Sequence, residues 1–491
     1  MTDRRILQQQ IEQEPILPGL EQNIARLKEI AGGSSDLMIN PITVSGVQIA
    51  LVTAEAMLST SMVAELIFDP LNRLDLGEIT SAGLFSYLEN DVLLSLDRPK
   101  IDTYGMLFRT INAGFAVIIA EGMPRALAFG VQGYDRRSVT EPSGEANVMG
   151  AHDGFTEVIR TNMSLLRRRL KSPVYVQKLQ VLGEKSRTDV CVCYMSDRVP
   201  QQLLDDIQTA LDGIELETIL SSGYVRPFLE QRAPRLFHGV GTTERPDVLC
   251  SKLLEGRVAL LIDGTPFALV LPRLFCENFQ TLDDYNAKPY FATFLRWLKY
   301  AAFLIAILLP GVYTAICLHH PELMNSELLR LLAKEEANAP FSLIAEAAGI
   351  LLLYEIIREA GLRLPKAVGG AVSIVAGLII GDAAVSSGLI STPLLTVSAI
   401  AIISGFVIPD LSQGMTMLRL GFLLCGGVWG LFGISIFGLL TMLNLCATED
   451  YGFPVTAPIS PFYPKAMRDV LTRVGFRRMA HGNFTVEELH D

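Results

Sequence analysis

The distribution of apolar positions divides the chain into two unlike parts. Charged residues occur every few positions up to about Lys299, whereas from Tyr300 to Cys446 apolar runs dominate and charges collect at their ends. In the first part, short apolar runs bounded by turn residues alternate with stretches of helical spacing, which predicts an α/β region. In the second part, several apolar runs approach the roughly 20 residues that a membrane-spanning helix needs.

A repeated segment organises the first part. Residues 114–124 are GFAVIIAEGMP and residues 256–266 are GRVALLIDGTP, so glycine, an acid followed by glycine, and proline recur at equivalent positions. Each copy has the pattern of a β-hairpin. Each also has an apolar strand well upstream, at Val47–Val52 and Val190–Met195. The repeat therefore predicts two related α/β subdomains.

The acid of each repeated turn, Glu121 or Asp263, is a candidate ligand residue. The simpler interpretation is structural, because the glycine accepts a positive φ and the proline ends the turn. We expect the structural role and keep ligand binding as the alternative.

These patterns predict six segments with distinct character. They are an N-terminal polar helix and flexible linker at 1–35, α/β subdomain 1 at 36–140, a connector helix region at 141–185, α/β subdomain 2 at 186–290, a transmembrane helical domain at 291–446 and a C-terminal polar tail at 447–491. The expected fold is an α/β cytosolic region of two related subdomains followed by an all-α polytopic transmembrane domain.

The number of spans depends on one ambiguous segment. Phe341–Ile357 is apolar but carries Glu346 and Glu355. If it crosses the membrane there are five spans and the tail lies outside; if it does not, there are four and the tail is cytosolic. Basic residues of the tail favour four, and Arg358, Arg363 and Lys366 favour five. We favour an even number. The other candidate spans are Tyr300–Leu318, Ala371–Ile390, Leu394–Ile408 and the glycine-rich Leu420–Leu445.

Acids within these apolar runs are the candidate functional residues. A carboxylate in hydrocarbon is costly, so it normally faces water, a partner or the interior of the helix bundle. Glu346, Glu355 and Asp382 are therefore candidates for an ion path. The alternative for each is a helix-end charge near the headgroups or a protonated, hydrogen-bonded acid.

Charge and motifs narrow the function. A net charge of −11 argues against nucleic-acid binding. The basic cluster from Arg167 to Lys171 is interpreted as a solvated helix face, with contact to anionic lipid or an acidic partner as the alternative.

No phosphate-binding, dinucleotide, zinc-protease or nucleophile-elbow motif is present, and the seven cysteines show no metal-binding spacing. We expect no enzyme activity, metal or cofactor. His319-His320 is interpreted as a loop at the membrane edge. The N-terminus lacks the apolar stretch of a signal peptide, which predicts a cytosolic first part.

Four groups of short motifs carry a family resemblance. They are GFTE at 154–157 with RTN at 160–162 and LLRRRL at 165–170; TERPD at 243–247 with LEGRV at 254–258 and DGTP at 263–266; FLR at 294–296 with LP at 309–310 and HPEL at 320–323; and EAGLRLP at 359–365 with YGFP at 451–454. Through their order and spacing the chain resembles the A-subunit family of bacterial spore germinant receptors, the GerA family, which also includes stage V sporulation protein AF.

The resemblance implies a role in germination. Such subunits lie in the inner membrane of the dormant spore with a transporter-like B subunit, thought to sense nutrient, and a lipoprotein C subunit. The A subunit is thought to form a homo-oligomer that conducts cations, whose release starts the exit from dormancy. The expected partners are therefore these subunits and membrane lipid. The resemblance adds no catalytic residues.

Three functions remain open from the sequence. The first is an A subunit whose copies form a cation conduit lined by Phe341–Ile357. The second is a non-conducting scaffold or signal-coupling subunit, and the stage V paralogue that amplifies ion release is a variant within the family. The third, an enzyme, is disfavoured by the missing motifs.

Overall fold

A computed structural model describes most of the chain. The described residues are 10–55, 57–72, 79–90, 99–131, 133, 142, 144–145, 150–230, 236–336, 340–363, 381, 383–479 and 485–489. The strands are β1 Leu37–Val44, β2 Val47–Ala54, β3 Lys100–Ile101, β4 Phe115–Ala120, β5 Ala126–Gly130, β6 Tyr175–Leu182, β7 Thr188–Met195, β8 Gly241–Thr243, β9 Val258–Ile262, β10 Ala268–Leu271, β11 Glu449–Asp450 and β12 Phe453–Pro454.

Helices of eight residues or more are numbered in chain order. They are α1 Leu20–Ile30, α2 Ser81–Asn90, α3 Tyr104–Ile111, α4 Ile159–Arg169, α5 Gln201–Asp212, α6 Ser222–Leu229, α7 Pro246–Leu254, α8 Pro289–His319, α9 Ser326–Glu336, α10 Leu343–Arg363, α11 Thr392–Gly405 and α12 Ser412–Ala447. Short helical segments are Thr60–Val63, Ala64–Phe68, Asp69–Asn72, Phe275–Phe279, Asp283–Asn286, Pro321–Leu323, Pro409–Leu411, Ala466–Asp469, Phe476–Met479 and Val486–Leu489.

Two five-stranded sheets repeat one topology. The first has the order β1-β2-β4-β5-β3 and the second β6-β7-β9-β10-β8, with antiparallel neighbours throughout. The predicted hairpins are confirmed, because β4 pairs with β5 and β9 pairs with β10. The upstream apolar strands are β2 and β7, which hold the same position beside the hairpin in each sheet. We call the parts built on these sheets lobe 1 and lobe 2.

Both faces of each sheet are buried. Along β4, Phe115 and Val117 pack with α1 and α3, whereas Ala116 and Ile118 face α2 and the helical turns that precede it. In lobe 2, alternate β9 residues likewise face either α4 and α7 or α5 and α6. Two-sided burial explains why the central strands are continuous apolar runs rather than alternating ones.

The acid of each repeated turn binds the start of a helix. The Glu121 carboxylate accepts a hydrogen bond from the Leu20 amide at 2.6 Å, and the Asp263 carboxylate accepts one from the Ile159 amide at 3.0 Å. Neither α1 nor α4 has a side-chain cap of its own. A carboxylate here satisfies a free amide and complements the positive helix end. The predicted positive φ of the turn glycines is confirmed at Gly122 and Gly264, both at 82°. The two bonds give Glu121 and Asp263 a structural role that the sequence did not specify.

A buried asparagine completes the same repeat. Asn23 in α1 and Asn162 in α4 are 0% and 1% exposed. Each side chain binds both backbone groups of the residue six positions earlier: Asn23 binds Leu17 at 3.0 and 2.7 Å, and Asn162 binds Thr156 at 2.7 and 2.6 Å. Each repeat unit therefore begins with a helix, ahead of residues 36 and 186, where the sequence placed the two starts. The polar helix of 1–35 packs on lobe 1, and the connector helix packs on lobe 2.

A buried ion pair joins the lobes. Arg167 in α4 binds the Asp36 carboxylate through Nε at 2.7 Å and through Nη2 at 2.8 Å, and both side chains are about 5% exposed. The Ser35 amide also donates to the Gln177 carbonyl at 2.7 Å. Two expectations were therefore wrong: Arg167 does not lie on a solvated helix face, and the linker that ends at Ser35 is held against β6.

The C-terminal segment, expected to be a polar tail, packs on lobe 2. Phe453, Val470 and Leu489 are nearly fully buried in the same core as α5 and α6. The Tyr451 hydroxyl donates to the Leu229 carbonyl of α6 at 2.7 Å. The apolar residues of this segment are widely spaced among polar ones, so its composition conceals the packing face.

The capping bonds predict a local stability effect. Asp263→Ala should weaken the start of α4 by about 1 kcal/mol, because it leaves the Ile159 amide without a partner. In hydrogen exchange of the full chain, the first amides of α4 should then exchange roughly fivefold faster, with α1 unchanged. Glu121→Ala should instead speed exchange of the first amides of α1 and leave α4 unchanged. Asp206→Ala, an exposed acid of α5, is the control. Equal effects on both helices, or none, would contradict the assignment.

Candidate functional site in the helical region

A buried ionic network joins α8 to the rest of the protein. The Asp284 carboxylate, 0% exposed, binds Arg296 Nε at 3.1 Å and Lys299 Nζ at 3.1 Å. Arg296 Nη1 also binds the Asp469 carboxylate at 2.9 Å. The network therefore connects the segment after lobe 2, the base of α8 and the C-terminal segment. Breaking such a buried pair leaves an uncompensated charge, which typically costs about 3–5 kcal/mol.

Two described helices, α8 and the helical stretch Pro409–Ala447 that contains α12, are long and apolar enough to cross a membrane. The shorter α11 is also apolar. α8 has 31 residues, so it is roughly 46 Å long. Candidate span Ala371–Ile390 lies largely outside the described residues.

The helix α12 reverses direction at Gly430. That residue has φ 62° and ψ −151°, a backbone region used almost only by glycine. The rings of Phe422 and Phe437 then lie 4.8 Å apart, one from each side of the reversal. The expectation of one long span at Leu420–Leu445 was therefore wrong. α12 is a hairpin of two antiparallel arms, 412–429 and 431–447, each roughly 26 Å long.

Two histidines at the end of α8 hold the tip of this hairpin. His319 Nε2 lies 2.7 Å from the Gly427 carbonyl oxygen, and His320 Nε2 accepts from the Leu431 amide at 3.4 Å. These are the backbone groups that the reversal leaves free. Within the described part of the chain, no group of three His, Cys, Asp or Glu residues could hold a metal ion.

Both ends of the hairpin meet lobe 2. Before the first arm, Asp410 accepts from Arg273 at 2.6 Å. After the second arm, Tyr451 enters the lobe 2 core. We call this end of the helical region the lobe side and the end with His319 the tip side. The two arms explain how the chain returns to lobe 2.

The structure places Glu346 at the start of another helix. Its side chain is 4% exposed, and its carboxylate accepts from the amide of Ser391, the residue that precedes α11. Like Glu121 and Asp263, Glu346 thus satisfies an amide at a helix N-terminus.

Glu355 has different partners. It binds Arg358 at 2.5 Å and accepts from the Thr416 hydroxyl at 2.9 Å. Since Glu346 and Glu355 are nine residues apart, they lie on opposite faces of α10, about 180° apart. A single chain therefore does not bring the two predicted acids together. Asp382 lies outside the described residues.

Sequence reasoning missed Arg419. This residue of α12 is 5% exposed and binds the Ala306 carbonyl of α8 at 2.7 Å and the Ala401 carbonyl of α11 at 3.4 Å. It links three helices. A charge within an apolar run usually marks a functional or strongly structural position. Its isolation between Leu418 and Leu420 was the available signal, but it falls just before the run that the sequence assigned as a span.

Close packing accompanies these polar contacts. A Cβ atom added to Gly426 would lie 2.5 Å from the Gly311 carbonyl oxygen, so α8 and α12 touch through their backbones. Small residues permit such approach between membrane helices. The pair α8 and α12 is therefore held together by direct backbone contact as well as by Arg419.

Comparison with known proteins assigns the family. The family profile described as "Bacillus/Clostridium GerA spore germination protein" matches residues 25–483. The chain belongs to the GerA family. Spore germination protein KA of Bacillus subtilis (strain 168) is 34% identical over 95% of this chain and 87% of its own length. The membrane protein YfkQ of the same strain is 31% identical over 94% of this chain and 90% of its own length.

A solved structure is also similar to this GerA-family chain. It is the crystal structure of the N-terminal domain of the A subunit of the Bacillus megaterium spore germinant receptor GerK3, at 27% identity, covering 53% of this chain and 98% of that one, with a TM-score of 0.42. Family membership makes the chain a spore germination protein. The name of YfkQ, the long apolar helix α8 and the apolar hairpin α12 agree with a membrane location.

The reversal predicts that substituting Gly430 in this GerA-family chain lowers stability more than substituting another glycine of α12. Gly430→Ala should destabilise the hairpin by about 1–3 kcal/mol, because alanine rarely adopts this backbone conformation and its Cβ would lie 3.0 Å from His319 and from His320. The melting temperature of the detergent-solubilised chain should fall by roughly 2–8 °C. Gly438→Ala in the second arm is the control, since its Cβ meets Phe422 at an ordinary 3.7 Å. Equal melting temperatures for the two variants would contradict the reversal.

Proposed function

We propose that this GerA-family protein is the A subunit of a nutrient germinant receptor in the inner spore membrane. Several copies assemble a cation conduit, and its opening triggers exit from dormancy. A transporter-like B subunit and a lipoprotein C subunit are the partners. The lobes and the C-terminal segment lie in the cytosol. Support for this orientation comes from the basic residues on the lobe side, among them Arg358, Arg363 and Arg477, which agree with the positive-inside rule.

The observation that carries the conduit proposal is the character of α10. This helix places two acids within an apolar sequence, and the described residues leave the side with Leu352 and Ile356 uncovered: these two side chains are 63% and 57% exposed. They are four residues apart, so they lie on the same side of the helix. An uncovered face suits contact with another copy, and a polar path then forms between copies rather than within one.

The two acids would act at different depths. Glu346 lies near the tip side, since Ile344 of the same helix packs on Gly427. Glu355 lies near the lobe side, beside Thr416 at the start of α12. A carboxylate at each end of the path would favour cations over anions.

A specific observation favours the non-conducting scaffold as second candidate. Both acids already have partners within the chain, Ser391 for Glu346 and Arg358 for Glu355. A subunit that only couples the lobes to the membrane helices needs no more than this. The stage V paralogue that amplifies ion release is the alternative within the family, and genes for B and C partners beside this one would distinguish a receptor A subunit from it.

Cation efflux tests the two candidates. Vesicles should contain the full chain with its B and C partners, and potassium release is followed after nutrient addition. Glu355→Gln and Glu346→Gln should each slow release about tenfold, the effect of roughly 1.4 kcal/mol on cation passage. Glutamine keeps an acceptor for the Ser391 amide, so the fold is preserved.

The matched control is Glu327→Gln, an exposed acid of α9 that lies outside α10. Its release rate should equal that of the parent. If Glu346→Gln and Glu355→Gln both release potassium at the parent rate, α10 does not line the conduit and the scaffold is favoured.

A further inference from the structure

Exposed aromatic rings surround the base of α8. Tyr290, Phe291, Phe294 and Trp297 are 73%, 48%, 58% and 59% exposed. They precede the apolar run that begins at Tyr300, so they lie where the helix enters the membrane. Aromatic side chains concentrate at this level because their rings are apolar and their edges tolerate water.

The C-terminal segment wraps around this base. Trp297 Nε1 donates to the Leu471 carbonyl at 3.0 Å, and the Arg473 amide donates to the Thr293 hydroxyl at 3.1 Å. Phe476 adds another exposed ring, at 59%. Residues 471–478 and the first turns of α8 therefore form one surface, which we call the α8 collar.

A basic cleft of about 520 Å³ opens in the α8 collar. Arg473, Arg477 and Arg478 line it together with Pro289 and Tyr290, and none of its described lining residues is an acid. The positive end of α8 lies at the same place, since Pro289 is its first residue. Arginine clusters next to a membrane helix are typical of sites for anionic lipid.

One arginine is built into the cleft rather than carried on its rim. Arg473 is 4% exposed, stacks on the Phe476 ring at 4.5 Å and donates to the Tyr285 carbonyl through Nη2. Its Nε is buried without a hydrogen-bond partner in the described part of the chain. A buried donor that lacks a partner is costly, and an acceptor from a ligand would satisfy it.

We infer that this cleft binds the headgroup of an anionic phospholipid. The phosphate would contact the three arginines, and the acyl chains would lie along the exposed Phe294 and Leu298. Inorganic phosphate shares the charge chemistry but gains nothing from the aromatic rings. The inference rests on the membrane location proposed above, and it gives lobe 2 a lipid-dependent contact through the C-terminal segment.

A tryptophan within the α8 collar supplies the test. The chain has two tryptophans, so Trp429→Phe leaves Trp297 as sole reporter. The full chain is reconstituted in phosphatidylcholine containing dibrominated phosphatidylglycerol or dibrominated phosphatidylcholine, and quenching of Trp297 is compared. The anionic lipid should bind at least fivefold more tightly, the contribution of about one arginine at an anionic surface. Arg477→Gln with Arg478→Gln should abolish this preference; both side chains are exposed, so folding is retained.

Two controls separate the possible outcomes. Arg109→Gln with Lys171→Gln removes the same charge from exposed lobe positions and should keep the preference. Loss of the preference in this control, or its persistence in the cleft variant, would overturn the inference. Inorganic phosphate, added at constant ionic strength, should leave the preference for the anionic lipid intact. If phosphate abolishes that preference, the cleft binds the free anion rather than the lipid headgroup. Equal quenching by both lipids would reject selection of the anionic headgroup but agree with the membrane location. No quenching by either lipid would reject the headgroup selection and the membrane location together.

Discussion

The reversal of α12 at Gly430 is the constraint on which the rest of the molecule depends. One residue with a positive φ turns an apolar stretch of 36 residues into two arms. Both ends of the stretch then meet lobe 2, so the C-terminal segment can complete the lobe 2 core. The ionic network around Asp284 adds the base of α8 to the same unit. A straight α12 would carry Tyr451 and Phe453 to the other side and leave that core open.

The same local solution recurs in the lobes and the helical region. Three carboxylates, those of Glu121, Asp263 and Glu346, each accept from an amide at the start of a helix that is distant in sequence. Each bond satisfies a donor that the helix cannot satisfy itself. In the lobes this bond fixes the leading helix on its sheet. In the helical region it fixes α11 against α10, so a predicted ion-path residue also has a structural role.

Periodicity and repetition predicted the elements whose environment is uniform. Central strands such as β4 and β9 are apolar on both faces, and their shared turn chemistry identified the hairpins. The missed features depend on single contacts that composition does not record. Gly430 is one of six glycines in the run Leu420–Leu445, and only its positive φ distinguishes it. Arg167 resembles its neighbours Arg168 and Arg169 until the fold brings Asp36 to it, and the buried face of the C-terminal segment is hidden by its polar composition.

The most direct test of the account is the sidedness of the C-terminal segment. Cysteines introduced at Glu217 in lobe 2, at Thr472 and at Glu327 in α9 can be labelled with a membrane-impermeant maleimide in sealed vesicles of known orientation. The hairpin predicts that positions 217 and 472 label from one face and position 327 from the opposite face. Labelling of 472 together with 327 would mean that residues 412–447 cross once, which would contradict the reversal and the assembly built on it.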